Sequence, residues 1–321
     1  MERTSRIFVA GHRGMVGSAL LRRLLQEYPG CVTRPRAQLD LSNTGAVDDF
    51  FERERPDYVF MAAARVGGIH ANDTYPAEFI YQNLTIQVNV LEAARRAGVK
   101  RLLFLGSSCV YPRECPQPIR EEYLLTGPLE RTNRAYAVAK ISGIEMCASY
   151  NRQYGTKFLA AMPTNLYGPN DNYDLQNSHV LPALIRKFHE AKSRRDATVT
   201  AWGSGAPRRE FLYSDDLADA CVHLMNLPAH EFDTLLAADY PLVNVGVGAD
   251  VSIRELTQIV KRVVGYEGEI VWDATKPDGT PRKLLDVSRL NALGWSARTP
   301  LEDGIRMAYA DFQRQPLCAR Q

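Results

Sequence analysis

Short apolar runs alternate with amphipathic stretches along the first half of the chain. Arg6-Ile7-Phe8-Val9-Ala10, Tyr58 to Ala62, Leu102-Leu103-Phe104-Leu105 and Phe158 to Pro163 are runs of strand length with few polar interruptions. Runs apolar on both faces predict parallel strands buried between helices. A weaker second strand is expected near Val32. Between these runs, apolar positions recur at helical spacing. Leu20, Leu21, Leu24 and Leu25 mark the first helix, followed by Ala46 to Arg53, Pro76 to Ala97 and Arg134 to Gln153. Strand and helix alternating through Pro163 predict an α/β fold, a doubly wound parallel sheet of Rossmann-like form.

The pattern shifts after Pro163. Asn170 to Asn177 is polar and aperiodic, His179 to Ala191 reads as a helix and Thr198 to Trp202 as a strand. Ser214-Asp215-Asp216 looks like a helix start with Ser214 as N-cap. Val243 to Gly246 is a further strand of the first domain, and Ser252-Ile253-Arg254-Glu255 has the capping-box pattern. Glu269 to Asp273 and Leu301 to Phe312 follow as strand and helix. The expected organisation is a nucleotide-binding domain of residues 1–168 plus about 210–249. A smaller discontinuous α/β domain would take about 169–209 plus 250–321.

The first strand runs into Gly11-His12-Arg13-Gly14-Met15-Val16-Gly17. Glycines at G-x-x-G-x-x-G allow a tight turn and close backbone approach to a pyrophosphate, and they aim N–H groups at the start of a helix. The strand-turn-helix context is the one that such a motif requires. An acid at the end of the second strand would take NAD ribose hydroxyls. The chain instead reads Thr33-Arg34-Pro35-Arg36, with Arg13 in the turn. Guanidinium groups suit a 2′-phosphate, so NADPH/NADP is the expected cofactor, against the plainer reading of solvated surface arginines.

The central strand breaks at Gly106-Ser107-Ser108-Cys109, and Tyr136 and Lys140 stand four apart on the next helix. They therefore project from one face, one above the other. Hydroxyls at a strand end facing a Tyr/Lys pair form a proton-handling constellation. A lysine ammonium there is expected to favour phenolate and lower a pKa that is ordinarily ~10. Tyr and Lys also meet at this spacing by chance, and it is the glycine motif upstream that gives the pair weight.

A net charge of +2 gives no reason to expect nucleic acid or membrane as a partner. The six cysteines (31, 109, 115, 147, 221, 318) have no C-x-x-C spacing and read as reduced cytoplasmic thiols, with no metal site. The amino terminus shows no signal peptide, and no apolar stretch approaches the ~20 residues of a membrane span.

The glycine motif and the Tyr/Lys pair, in this order, resemble the short-chain dehydrogenase/reductase superfamily and its extended branch acting on nucleotide sugars. Val66-Gly67-Gly68-Ile69, Gly106-Ser107-Ser108-Cys109-Val110-Tyr111-Pro112 and Met162-Pro163-Thr164-Asn165-Leu166-Tyr167-Gly168-Pro169 bring the likeness closer. So do Asn177-Ser178-His179-Val180, Trp202-Gly203-Ser204-Gly205 and Lys276-Pro277-Asp278-Gly279. These blocks, spread over essentially the whole chain, are similar to the GDP-L-fucose synthase family. Its members are NADPH-dependent 3,5-epimerase-4-reductases of GDP-4-keto-6-deoxy-D-mannose.

The resemblance implies roles by position. Tyr136 would donate to the sugar C4 oxygen, Lys140 would tune it and bind ribose, and Ser107 would hold the same oxygen. Cys109 and His179 would be base and acid at C3 and C5. Gly11 to Gly17, Arg36, Asp40 and Leu41 would hold the cofactor, as would Leu105, Gly106, Ser107, Lys140, Pro163, Asn165, Leu166 and His179. Ser108, Lys187, Trp202, Arg209 and Asp278 would contact the GDP-sugar, with Lys283 and Arg282 as further possibilities. A homodimer is expected on the same ground. Two rivals stay open: a 4-epimerase or 4,6-dehydratase on another nucleotide sugar, and a non-catalytic NADP-binding regulator. The Asp-Glu usual after the Ser/Thr of a dehydratase is absent, Ser108-Cys109 standing there.

Overall fold

The computed structural model describes residues 1–175, 177–275 and 278–315; Lys276, Pro277 and Cys318 lie outside the described residues. The first elements are β1 (Ile7–Ala10), α1 (Met15–Leu24), β2 (Cys31–Val32), α2 (Thr44–Glu54) and β3 (Tyr58–Met61). Then come α3 (Ile69–Thr74), α4 (Pro76–Arg96), β4 (Arg101–Leu105), α5 (Arg134–Tyr154) and β5 (Phe158–Pro163). Each strand read from an apolar run is present, and all but the two-residue β2 are buried almost throughout.

The second half opens with β6 (Asn165–Tyr167), α6 (Val180–Arg194), β7 (Thr198–Trp202), β8 (Arg208–Arg209) and β9 (Phe211–Tyr213). It continues with α7 (Ser214–Asn226), α8 (Ala229–Leu236), β10 (Leu242–Val245), β11 (Val251–Ser252) and α9 (Ile253–Val264). It ends with β12 (Glu269–Asp273), β13 (Arg282–Lys283), α10 (Ser288–Ala292) and α11 (Leu301–Arg314).

Six strands form one sheet in the order β10-β5-β4-β3-β1-β2, parallel at every pairing. The chain moves from β1 to β2 on one side, then to β3 on the other. The loops after β1 and β3 therefore diverge and leave the crevice where such sheets hold ligands. Both faces are covered. Phe8, Phe50 and Phe51 pack together on one, with the Phe8 and Phe50 centroids 4.6 Å apart. Leu20 and Leu24 of α1 join Leu217 and Val222 of α7 on the other. Burying each such side chain contributes roughly 1.5–3 kcal/mol.

A second core gathers Phe188 of α6, Leu256 and Val260 of α9 and Ile305 and Phe312 of α11. Ser252 accepts from the Glu255 N–H while the Glu255 carboxylate accepts from the Ser252 N–H, so the expected capping box starts α9. Two expectations differ. Ser214 is the first helical residue of α7, and Tyr213 occupies the cap position with no side-chain cap. The Ser214 side chain is used for packing: a Cβ at Gly168 would meet its Oγ at 2.1 Å. Leu285, Leu290 and Trp295 join the cores that flank the large sheet, so residues 250–321 do not all pack with the smaller core.

The fit of α5 against β4 positions the site and depends on Gly143, whose hypothetical Cβ would lie 2.4 Å from the Phe104 ring. Gly143→Ala is expected to destabilise the fold by about 1–3 kcal/mol. Calorimetry should show a lower unfolding midpoint; an unchanged midpoint would mean that α5 has room to move.

Candidate active site

The turn after β1 fits a dinucleotide. Gly11 has φ 86°, and a Cβ there would lie 2.7 Å from Ala63 N; one on Gly17 would lie 2.1 Å from Gly11 O. Close approach therefore excludes side chains at both. Gly14 sits at the N-cap of α1 with no side-chain cap, leaving the first helical N–H groups for a ligand anion. His12 Nδ1 is buried without a hydrogen-bond partner, and burial first, then Arg13, lowers the imidazole pKa. A buried polar atom left unpaired costs about 1–3 kcal/mol, which a bound partner would offset. These features fit the pyrophosphate of NADP(H).

Arg13 is exposed, and the Arg36 side chain is 80% exposed, paired with Asp40 at 3.5 Å. Arg34 does not join them. Its Nη2 donates to Glu54 Oε1 at 2.7 Å, and Glu54 also takes Arg6. The expected arginine cluster thus narrows to Arg13 and Arg36. Asp40 accepts from the Ser42 hydroxyl at 2.7 Å, which holds its carboxyl below the usual range. Leu41 O accepts from Asn89 Nδ2 at 2.9 Å.

At the carboxyl end of β4, Gly106 passes beneath Met162, whose Sδ would lie 2.3 Å from an added Cβ. Ser107 Oγ accepts from the Cys109 N–H at 3.4 Å, closing a short turn. The same hydroxyl lies close enough to the Tyr136 phenol and the Cys109 thiol to favour ionisation of both, so three reactive groups are gathered at this strand end. Lys140 is buried, and its Nζ donates to Leu105 O at 2.6 Å. It stands 4.8 Å from the Phe104 ring centroid and 5.8 Å from that of Tyr136. From α4, Gln87 Nε2 donates to Ala139 O at 2.6 Å, and Phe79 meets Tyr136 edge-on with centroids 6.3 Å apart.

The electrostatics correct one expectation. Burial raises the Tyr136 pKa, and the Cys109 charge raises it further; the nearby Ser107 hydroxyl opposes. Lys140 does not lower it, because its ammonium is turned to the Leu105 carbonyl and is itself pushed down to about 8 by burial. Tyr136 is therefore held as a phenol, a proton donor. Burial also raises the Cys109 pKa, opposed first by Lys283, then by Ser107 and Lys140.

His179 takes the N-cap position of α6 rather than a place within the helix. It is exposed, yet its pKa is lowered by desolvation alone, so the surrounding walls of chain and not full enclosure favour neutral imidazole. Its loop is tied to the turn after β3, where Gly68 N–H donates to Asn177 O at 2.8 Å. Asn83 pins that turn through Arg65, accepting from its N–H and donating to its carbonyl, both at 3.0 Å.

The smaller domain carries four of the expected GDP-sugar contacts, Lys187, Trp202, Arg209 and Asp278. Lys187 Nζ lies 4.6 Å from the Trp202 ring centroid, and that indole is 59% exposed. Burial lowers the Lys187 pKa. Arg209 is half-buried and donates to Arg208 O at 2.7 Å, and a Cβ on Gly279 would crowd its Nη2 at 2.9 Å. Asp278 accepts from the Ser204 N–H at 2.9 Å and hydroxyl at 2.6 Å, which fixes the turn after Trp202. Lys283 of β13 is in register with Arg209 of β8. Arg282, beside it, is committed to Asp250. The remaining expected contacts, Met15, Val16, Ser108, Pro163, Asn165 and Leu166, lie in or beside these turns.

The sequence marks Asn83 and Asn89 as residues of this helix that could hold polar groups, without deciding their role, and gives none to Gln87. Their signal was weak but present: polar residues spaced along one helix whose neighbours are apolar.

The model of the NAD dependent epimerase/dehydratase family matches residues 7–235. The GDP-L-fucose synthase of Escherichia coli (strain K12) is 55% identical over 311 residues, covering 96% of this chain and 96% of that one. GDP-L-fucose synthase 1 of Arabidopsis thaliana is 53% identical over 320 residues, 99% and 96% of the two chains. The solved structure of MlghC, a GDP-mannoheptose C4 reductase from Campylobacter jejuni with NADP bound, superposes with TM-score 0.89 at 39% identity, covering 98% and 99%. The glycine turn, the Tyr136/Lys140 pair and these matches over nearly the full length agree: the chain belongs to the NAD dependent epimerase/dehydratase family, in the branch that includes the GDP-L-fucose synthases.

Proposed function

We propose that this chain converts GDP-4-keto-6-deoxy-D-mannose to GDP-L-fucose by epimerisation at C3 and C5 and reduction at C4. The observation that carries the reading is the grouping of Cys109 and Tyr136 around Ser107, with Lys140 buried beside them on the Leu105 carbonyl. The cofactor is NADP(H), which supplies the hydride when bound. Gly11 to Gly17 hold its pyrophosphate and Arg13 and Arg36 its 2′-phosphate.

A C4 ketone acidifies the hydrogens on C3 and C5, because the electron pair left behind becomes an enolate. Cys109 takes the proton from one face and His179 returns one from the other. Tyr136 and Ser107 donate to the C4 oxygen as negative charge builds there. In the last step Tyr136 gives its proton to the C4 alkoxide; its raised pKa keeps that proton in place beforehand. Arg209 and Lys187 meet the GDP charges, and Trp202 offers a flat stacking surface. The GDP-mannoheptose C4 reductase relative favours a plainer activity, reduction without epimerisation.

We divide the chain into a cofactor domain (1–168, about 210–249 and the segment around 284–297) and a substrate domain built on the smaller core. Exposed Tyr81 and Val88 of α4 and Val138 of α5 support a homodimer through these helices. Five described cysteines are free, as a reducing cytoplasm would leave them, and no described helix is long and apolar enough to cross a membrane.

The direct test is wild-type protein with NADPH and GDP-4-keto-6-deoxy-D-mannose, following absorbance and the product by NMR. GDP-L-fucose is the expected product; a 4-reduced sugar of unchanged C3 and C5 configuration would leave a simple reductase. Tyr136→Phe should slow reduction by about 10²–10⁴-fold while NADPH still binds. Arg36→Ala should weaken NADPH by about tenfold or more and leave NADH almost unchanged, as one charge-assisted contact is lost. Equal losses would remove Arg36 from 2′-phosphate recognition. Because Lys140 is ammonium below its pKa of about 8 and neutral above it, kcat/KM for NADPH oxidation should fall as pH rises through 8. A profile level to pH values well above 8 would contradict a role for that charge.

A further inference from the structure

Glu210 links β8 to β9 and is fully buried at 0% exposure. No lysine, arginine or histidine pairs with it among the described residues. Backbone N–H groups supply its carboxylate hydrogen bonds, and the Thr164 hydroxyl adds to holding its charge. Oε1 accepts from Val247 at 2.6 Å and Gly248 at 2.7 Å, and Oε2 from Leu285 at 3.0 Å. Its backbone carbonyl accepts from Asn165 Nδ2 at 2.9 Å and Thr164 Oγ1 at 3.3 Å. The space is closed on another side, since a Cβ on Gly246 would lie 2.3 Å from Oε1.

A carboxylate buried without a counter-ion is costly, and here desolvation outweighs the three donors, so its pKa is raised. That cost falls at an informative place. Arg209 precedes Glu210 directly. Leu285, held by Oε2, is two residues beyond Lys283, and Lys283 is in register with Arg209. Thr164 and Asn165, held by the carbonyl, leave β5 toward the cofactor. One residue thus ties together two cationic positions of the substrate side, the turn after β10 and the cofactor-side segment.

We propose that Glu210 is a positioning residue for the GDP-sugar, setting Arg209 and Lys283 at a fixed spacing from each other and from the Thr164-Asn165 segment. This rests on the reading of Arg209 as a contact to the GDP pyrophosphate. Glu210 touches neither substrate nor cofactor; it acts through the backbone it holds.

Glu210→Gln tests the idea at nearly constant volume. The amide keeps one carbonyl oxygen, which can still accept from Val247 and Gly248. Its NH₂ cannot accept from Leu285, so the Lys283 arm is released. Calorimetric titration with GDP alone and with NADPH gives a readout independent of turnover. GDP affinity should fall about tenfold, the size of one hydrogen bond to a charged group, with NADPH affinity within about twofold. In turnover the KM for the keto sugar should rise far more than kcat falls. Gly246→Ala, which presses on Oε1 from the opposite side, should show the same split. Arg209→Ala is run alongside. If it leaves GDP affinity unchanged, the reading of Arg209 is wrong. If it weakens GDP while Glu210→Gln and Gly246→Ala bind GDP normally, the positioning role is overturned. Equal loss of GDP and NADPH affinity, or failure of both variants to fold, would also overturn it, because Glu210 would then serve folding and not the placement of Arg209 and Lys283.

Discussion

Removing ionisable groups from water at the carboxyl end of β4 is the constraint on which the rest of the site depends. Tyr136, Lys140 and Cys109 are all perturbed chiefly by desolvation, each toward its neutral form. For a reaction that needs a proton donor at a ketone oxygen this is useful, since a phenol that resists ionisation arrives with its proton. It also opposes thiolate at Cys109, and the charges that counter it, Lys283 before Lys140, come from β13 and α5. The Cys109 thiol therefore feels the charge of β13 as well as that of the helix beside the sheet.

The fold supports that placement with close backbone packing. Gly11, Gly17, Gly106 and Gly143 each sit where an added Cβ would meet another atom at under 3 Å. Gly11 and Gly106 directly follow strands, Gly17 sits in α1 against the Gly11 carbonyl, and Gly143 lets α5 lie on Phe104. Polar side chains of α4 then set the details: Asn83 the turn after β3, Gln87 the backbone beside Lys140, Asn89 the Leu41 carbonyl. The helix is less a wall than a template for two loops and for the backbone of α5.

Much of the central sheet was legible in the sequence because parallel strands are apolar on both faces and end at glycine. The Ser252 capping box was legible because it is local, four residues in a row. What stayed hidden was set by distant contacts. Arg34 looked like a phosphate ligand until Glu54, twenty residues on, took its guanidinium. Ser214 looked like a cap until Gly168 was found packed against its hydroxyl. The direction of the Tyr136 shift could not be read from the spacing of Tyr136 and Lys140, because it depends on burial and on where Nζ points. β8 and β13 are two residues each, too short for any periodicity, so the register of Lys283 with Arg209 had no sequence signal.

The central claim is that one site holds two separable proton-transfer systems, grouped around Ser107. Its most direct measurement is solvent deuterium incorporation at C3 and C5 of GDP-4-keto-6-deoxy-D-mannose, read by NMR beside NADPH consumption, for Cys109→Ser, His179→Ala and Tyr136→Phe. The account has the first two variants losing exchange at one or both carbons while still reducing C4. The third should lose reduction and keep measurable exchange. Exchange at wild-type rates in both Cys109→Ser and His179→Ala would place the base and acid elsewhere and contradict the account.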